Sequence, residues 1–248
     1  MRIKILGLAM ATLLFSCKKE TKVAQKEVKQ YTIEQFMDNE AVSGGSFSSD
    51  NTNLLVSSNR SGIYNVYTIP VKGGEMTAIT ASDSTSIFAT SYFPKDDRML
   101  FSADGNGDEI DHLFVRELDG TIADITPDKG AKASFYGWSK DYKSLYFGSN
   151  KRDPRFFDVY KLSVDGYASK MIYQNNDGLN FSGMSNDENF FALSKSLNTN
   201  DSDLFLYDVK TKEMIKINDN QSANSAQDFS EDNTTFYYTT DDGGEFAY

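Results

Sequence analysis

Cysteine is all but missing from the 248-residue chain: Cys17 is the only one, which rules out an intrachain disulfide. Histidine is equally scarce, with His112 alone, so at most one imidazole is on hand for proton transfer. Positive charge also falls short. Against 36 Asp and Glu stand 25 Lys and Arg, a formal net charge of −11, and such an acidic chain argues against nucleic acid as a partner, whose phosphates demand a basic face. Long apolar runs are lacking too. The single one, inside the opening "MRIKILGLAMATLLFSC", holds about twelve residues and is too short to cross a bilayer as a stable helix. What remains is 39% hydrophobic and 13% aromatic, with 14 Tyr and 18 Phe, a globular composition rich in types that favour strands.

Arg2 and Lys4 precede the apolar run and the small Ser16 follows it, the charged, apolar, small-residue layout of an export signal. Residues 1–16 are therefore expected to be a removable signal peptide. Leu14, Phe15, Ser16 and Cys17 resemble the lipobox of bacterial lipoproteins, with Phe15 departing from the commonest residue at its position. That resemblance implies acylation of Cys17, and with it an exported protein anchored to a membrane of the bacterial cell envelope; each buried CH₂ of an acyl chain contributes roughly 0.8 kcal/mol. The stretch "KKETKVAQKEVKQ" has five Lys, two Glu and no apolar periodicity. It completes a flexible cationic tether over residues 17–30, ahead of an acidic body over residues 31–248.

The body is built on a repeat. "FSSDNTNLLVSS", "FPKDDRMLFSA", "WSKDYKSLYFGS", "MSNDENFFALS" and "FSEDNTTFYYTT" align on Asp50, Asp96, Asp141, Asp187 and Asp232, at spacings of 46, 45, 46 and 45 residues. A second landmark, "NVYTI", "HLFVR", "DVYKL" and "DLFLY", aligns Tyr67, Phe114, Tyr160 and Phe205. Each unit thus offers roughly four short strands, the length and content of a propeller blade. The apolar runs at residues 54–56, 145–147 and 190–193 are continuous rather than alternating, as a strand covered on both faces requires. The fold class expected is all-β, a β-propeller of about four complete blades plus part of a fifth in an incomplete ring, with blades near 46–92, 93–137, 138–183, 184–228 and 229–248. The last segment reads as a blade broken off inside a repeat, and so as a truncated chain. "YTIEQFMDNEAVSGG" departs from this grammar. It places Ile33, Phe36 and Met37 at helical spacing behind Thr32 as a cap, which predicts one short helix.

Residues that recur once per unit belong to the repeat before they belong to chemistry. The five aligned aspartates are expected to shape the turn entering a strand, since an Asp side chain accepts bonds from the backbone two residues on. Trp138 fills the slot of Phe47, Phe93, Met184 and Phe229 and is expected in the core. His112 fills the slot of Asn65, Asp158 and Asp203 and is expected at a strand edge rather than as a base or ligand.

"FSSDNTNLLVSSNRSGIYNVYTIPVKGGEMTAIT" resembles the repeats of TolB-type propellers. Taken with the opening "YTIEQFM", the blade bearing "DGNGDEIDHLFV" and the blade bearing "GSNKRDPRFFDVYKL", the body is similar to the amino-terminal, dipeptidyl-peptidase-like propeller of the prolyl oligopeptidase family of serine peptidases. The resemblance covers residues 31–248. It implies a propeller that restricts access, so that peptides rather than folded proteins reach a following α/β-hydrolase domain with Ser, Asp and His. That domain needs a G-x-S-x-G elbow, and the sequence contains none; "GGSFS" and "SGMSND" lack the closing Gly. No catalytic residue is therefore assigned, and the chain alone is expected to be inactive.

Other constellations carry less. Asp104, Asn106 and Asp108 alternate as in the first half of a calcium loop, but the sixth-position Gly and twelfth-position Glu are missing; "NTNDSD" from Asn198 is weaker still, and no metal or cofactor is assigned. Lys151, Arg152 and Arg155 cluster in "NKRDPR", where they could meet a peptide carboxylate or the hydrolase domain, or pair locally with Asp153 and Asp158. Some family members grip the substrate's amino terminus with propeller glutamates, and Glu109 is the one residue considered for that role. Two functions follow: the substrate-gating portion of an exported serine peptidase, with a peptide substrate and the membrane as partners, or a non-enzymatic propeller lipoprotein that binds protein or glycan.

Overall fold

The computed structural model describes residues 28–244. The export signal, the lipid site at Cys17 and the strand start expected at residues 246–248 lie outside the described residues. Two compact units divide the chain after Asn39. In the first, α1 (Ile33–Met37) is capped as its sequence predicts. The Thr32 hydroxyl accepts from Gln35 N and the Gln35 side chain accepts from Thr32 N, a reciprocal capping box that satisfies two otherwise orphaned donors.

The second unit is a succession of antiparallel sheets, each running in chain order. The first sheet holds β1 (Val42–Phe47), β2 (Asn53–Ser58), β3 (Asn65–Pro70) and β4 (Thr77–Ala78); the second holds β5 (Ile87–Tyr92), β6 (Met99–Ala103), β7 (His112–Arg116) and β8 (Ile122–Asp124). The third holds β9 (Ala133–Trp138), β10 (Ser144–Asp153), β11 (Phe156–Ser163) and β12 (Ser169–Tyr173). The fourth holds β13 (Asn180–Met184), β14 (Phe190–Asn198), β15 (Asp201–Asp208) and β16 (Met214–Lys216); β17 (Asn224–Phe229) and β18 (Phe236–Thr240) pair as the fifth. These are four complete propeller blades and the first two strands of another, and among the described residues no sheet closes on itself. Each sheet starts one strand ahead of its Asp landmark, so the repeat frame counted from Phe47, Phe93 or Trp138 straddles two neighbouring sheets.

The recurrent aspartates sit in the hairpin between the first and second strands and organise it as an Asx turn. Asp50 Oδ1 accepts from Ser48 Oγ at 2.7 Å and Thr52 N at 2.9 Å. Asp141, Asp187 and Asp232 repeat both contacts with Ser139 and Lys143, Ser185 and Asn189, and Ser230 and Thr234. Side-chain donors, Ser48 first, hold Asp50 below the usual carboxylate range, as Ser185 does for Asp187 and Ser230 for Asp232. The next residue takes a left-handed backbone at Asn51, Tyr142, Glu188 and Asn233. The second sheet has Pro94 in the serine position, and there Asp96 instead takes Arg98 N and the Arg98 guanidinium.

Sheets are held to each other by apolar side chains. Leu55 and Val66 of the first pack with Tyr92, Met99 and Phe101 of the second. Phe93, Leu100 and Val115 meet Leu145, Phe147 and Leu162 of the third, and Val159 and Tyr173 meet Leu179, Phe191 and Leu193 of the fourth. Leu100, Leu145 and Leu193, in the second strands of their sheets, are wholly buried, which accounts for the continuous apolar runs. Trp138 joins this packing: its ring centroid lies 4.8 Å from that of Phe93 and its Nε1 donates to Ser91 Oγ. Phe47, in the same repeat position, is 54% exposed where Phe93, packed on Trp138 and Leu145 of the third sheet, is 2%. Replacing Phe93 with Ala should therefore cost about 3–5 kcal/mol, and Phe47→Ala less than about 1 kcal/mol. The two denaturation midpoints decide it.

Candidate functional site

One irregularity recurs in the first strand of every sheet. The register slips between Ser43 and Ser46, Ala89 and Ser91, Phe181 and Gly183, and Ala226 and Asp228, and opposite Tyr146 and Phe147 in the third sheet. Each slip is a β-bulge whose extra residue is re-aimed out of the ladder. Thr90, Tyr136, Ser182 and Gln227 are those residues in the second to fifth sheets. Three of them line clefts at successive sheet junctions, so one backbone device, repeated with the blade, builds a row of recesses with different chemistry.

Thr90 lines a cleft of about 260 Å³ with Asp111 and Phe135. Ser182 lines one of about 300 Å³ dominated by Ser, Asn and Thr. Tyr136 lines the largest, about 390 Å³, with Arg155, Phe157, Asn175 and Phe181. This middle cleft has the mixture of aromatic walls and few polar groups that suits a small organic or peptide ligand. Tyr136 stacks on Phe181 with centroids 4.9 Å apart and planes 16° from parallel, and burial pushes its phenol pKa up. The side chain lies directly on Gly148 of β10, where any Cβ would overlap the ring; the strand keeps a glycine because a tyrosine crosses it.

The cation cluster of β10 and its turn touches this cleft through Arg155 alone, and each member is already engaged. Arg152 Nε and Nη2 hold the two oxygens of fully buried Asp158 at 2.7 and 2.8 Å, and Nη2 also donates to Asn175 O. Lys151 pairs with Asp128 at 3.0 Å. Arg155 binds Asp153 through Nε and Nη2 and, with the backbone N–H of Arg155, holds the Asp153 carboxyl down at about 2. Arg155 alone of the three reaches the cleft wall, with its side chain 75% exposed. Glu109 stands apart in the loop before β7, at φ 58°, its N–H donating to Asp104 Oδ2, and does not border the middle cleft. In that same loop Asp108 accepts from Gly105 N and Ile110 N, and Asn106 from Thr85 Oγ1.

Sequence reasoning missed two features. The bulge row was invisible because its members, Thr90, Tyr136, Ser182 and Gln227, share spacing but no chemistry. The slot of Asn65, His112, Asp158 and Asp203 ties the third strand to the chain leaving the fourth, since its partners are Thr80 and Ser82, Asp124, Asn175, and Lys216. His112 opens β7, a strand with neighbours on both sides, and its Nδ1 lies 2.7 Å from Asp124 Oδ2. The close fit of Tyr136 on Gly148 makes a prediction. Gly148→Ala should destabilise by about 1–3 kcal/mol, and in the Tyr136→Ala background most of that loss should vanish; a double-mutant cycle on unfolding measures the coupling.

The model of the prolyl oligopeptidase N-terminal β-propeller domain matches residues 77–247. No curated protein sequence matches the chain. Among solved structures, TolB from Acinetobacter baumannii superposes with a TM-score of 0.54 at 16% identity, over 78% of this chain and 47% of that one. Prolyl oligopeptidase B from Galerina marginata, bound to a 35mer hydrolysis and macrocyclization substrate, gives 0.59 at 14% identity, over 80% and 30%. A puromycin-hydrolyzing peptidase of Mycobacterium tuberculosis gives 0.54 at 15%, over 75% and 32%. The chain spans less than half the length of each of these three, and at such identities the likeness is one of fold.

Proposed function

This chain belongs to the prolyl oligopeptidase family, through its N-terminal β-propeller domain, and on that premise we propose that it is the substrate-gating portion of an exported, lipid-anchored serine peptidase. The observation that carries the reading is the family match laid over a run of intact blades, in a sequence with no G-x-S-x-G and a single histidine already bound to Asp124. Chemistry would be acyl transfer at a Ser-His-Asp triad supplied by a hydrolase domain outside these residues. The propeller's part is access: it admits a flexible peptide and turns away a folded protein. The middle cleft, with Tyr136, Phe157 and Phe181, offers apolar surface for an extended peptide on its way to that domain.

A second reading has support in the TolB superposition, which is nearly as good as that to the peptidase: a non-enzymatic propeller lipoprotein whose clefts bind protein or glycan. The two readings part on active-site labelling. A fluorophosphonate probe should leave this chain unlabelled and label the product of the complete reading frame, which should cleave short peptide reporters and spare folded proteins. Labelling of this chain would overturn its non-catalytic role; a full-length product that takes no label would favour the scaffold. For the anchor, Cys17→Ser should move the protein from the membrane fraction to the soluble one. An unchanged distribution would refute acylation at Cys17.

A further inference from the structure

The cleft between the fourth and fifth sheets differs from its siblings in its oxygens. Among the described residues three buried side-chain polar atoms have no hydrogen-bond partner, and two of them, Asp201 Oδ1 and Asn224 Oδ1, belong to residues that line this one cleft. Asn224 is 6% exposed, and its Nδ2 is fully used on Ser202 O and Ser222 O, which fixes the amide orientation and leaves the carbonyl oxygen without a donor. A buried acceptor left unmet is destabilising, so two together call for an explanation.

The repeat sharpens the contrast. The position two residues before the strand-tying slot is Ile63, Ile110 and Phe156 in the first three sheets, and Asp201 in the fourth. The residue that opens the following sheet is Ile87, Ala133 and Asn180, and then Asn224. The first two junctions place two apolar side chains there and the third places Phe156 with Asn180, whereas the last places a carboxylate and a carboxamide together. The rest of the lining is five serines, Asn198, Thr199 and two alanines: its polar side chains offer oxygen, and none is histidine or cysteine. Lys216, the nearby cation, is engaged with Asp203 at 2.9 Å and lies in the field of Asp201 and Asp219 as well.

We propose that this cleft binds a hard divalent cation of the calcium type, bridging Asp201 at the start of β15 and Asn224 at the start of β17. Calcium takes 6–8 oxygen ligands from carboxylates, carboxamides, backbone and water, which is the donor set on offer, and the cleft is open and large enough for water to complete the shell. With one carboxylate the affinity belongs to the weak class, a Kd of about 10⁻⁴–10⁻³ M, suited to an extracellular or envelope calcium level. The cation would fasten the fifth sheet to the fourth, and the proposal is independent of any peptidase role.

Isothermal titration of the chain with CaCl₂, paired with thermal unfolding, tests it. Wild type should bind one Ca²⁺ per chain and unfold at a higher temperature with it, beyond the response to NaCl at equal ionic strength. Asp201→Asn should weaken binding by about tenfold or more, and Asn224→Asp, which adds a second carboxylate in place, should tighten it by about tenfold. Glu231→Gln, an 85% exposed acid elsewhere, should change nothing. No calcium binding up to about 10 mM, or binding unmoved by both Asp201→Asn and Asn224→Asp, overturns the assignment. Should Asp201→Asn fail to fold, Asn224→Asp alone decides, through tighter or unchanged binding.

Discussion

Face-to-face burial of one sheet on the next is the constraint on which the rest of this structure depends. A four-stranded blade of this length has two apolar faces and cannot cover either by itself. Leu100, Leu145 and Leu193 are wholly buried because a neighbouring sheet lies against each, and burying a side chain of this size is worth about 1.5–3 kcal/mol. The aromatic landmark shows the dependence most plainly: Phe93 is enclosed, while Phe47, in the same position of the first sheet, is half open to solvent. Stability here is a property of junctions rather than of blades.

The same packing governs where chemistry can sit. Residues inside the junctions are committed to cohesion, and the cations of "NKRDPR" are committed to Asp128, Asp153 and Asp158. What is left over is the bulge. By re-aiming Thr90, Tyr136 and Ser182 it opens a recess beside each of the last three junctions. The framework then stays constant while the contents vary: threonine and aspartate in one cleft, an aromatic wall in the next, and a lining of serine and asparagine in the last. A propeller can in this way keep its fold and diversify its surface.

Much of the architecture was legible in the sequence because its signals are local. The Asp turns rest on contacts between residues two apart, such as Asp50 with Ser48 and Thr52, and the α1 cap on contacts three apart. The continuous apolar runs of β2, β10 and β14 announced strands covered on both faces. The phase of the blades was harder. First strands such as "VSGGSF" carry glycine, serine and a bulge instead of an apolar pattern, so the frame settled on the louder landmark one strand later. The clefts were not legible at all, since Tyr136 and Phe181 are brought together by sheet packing and not by spacing. Nor was the binding role of the Asn65, His112, Asp158 and Asp203 slot, whose partners change chemical type from one sheet to the next. Arg152 and Arg155, neighbours in sequence, part company for the same reason: one is clamped on a buried carboxylate and the other borders a cleft.

The function proposed for these blades places them within a larger enzyme. The central claim is that the chain is the gating propeller of a serine peptidase whose catalytic groups lie elsewhere in the protein. The most direct measurement is the coding sequence downstream of Tyr248. The account predicts further blades of the same repeat, followed by a G-x-S-x-G on a strand-to-helix turn, with an Asp and a His after it. A stop codon after one or two more blades, with no such elbow, would contradict it.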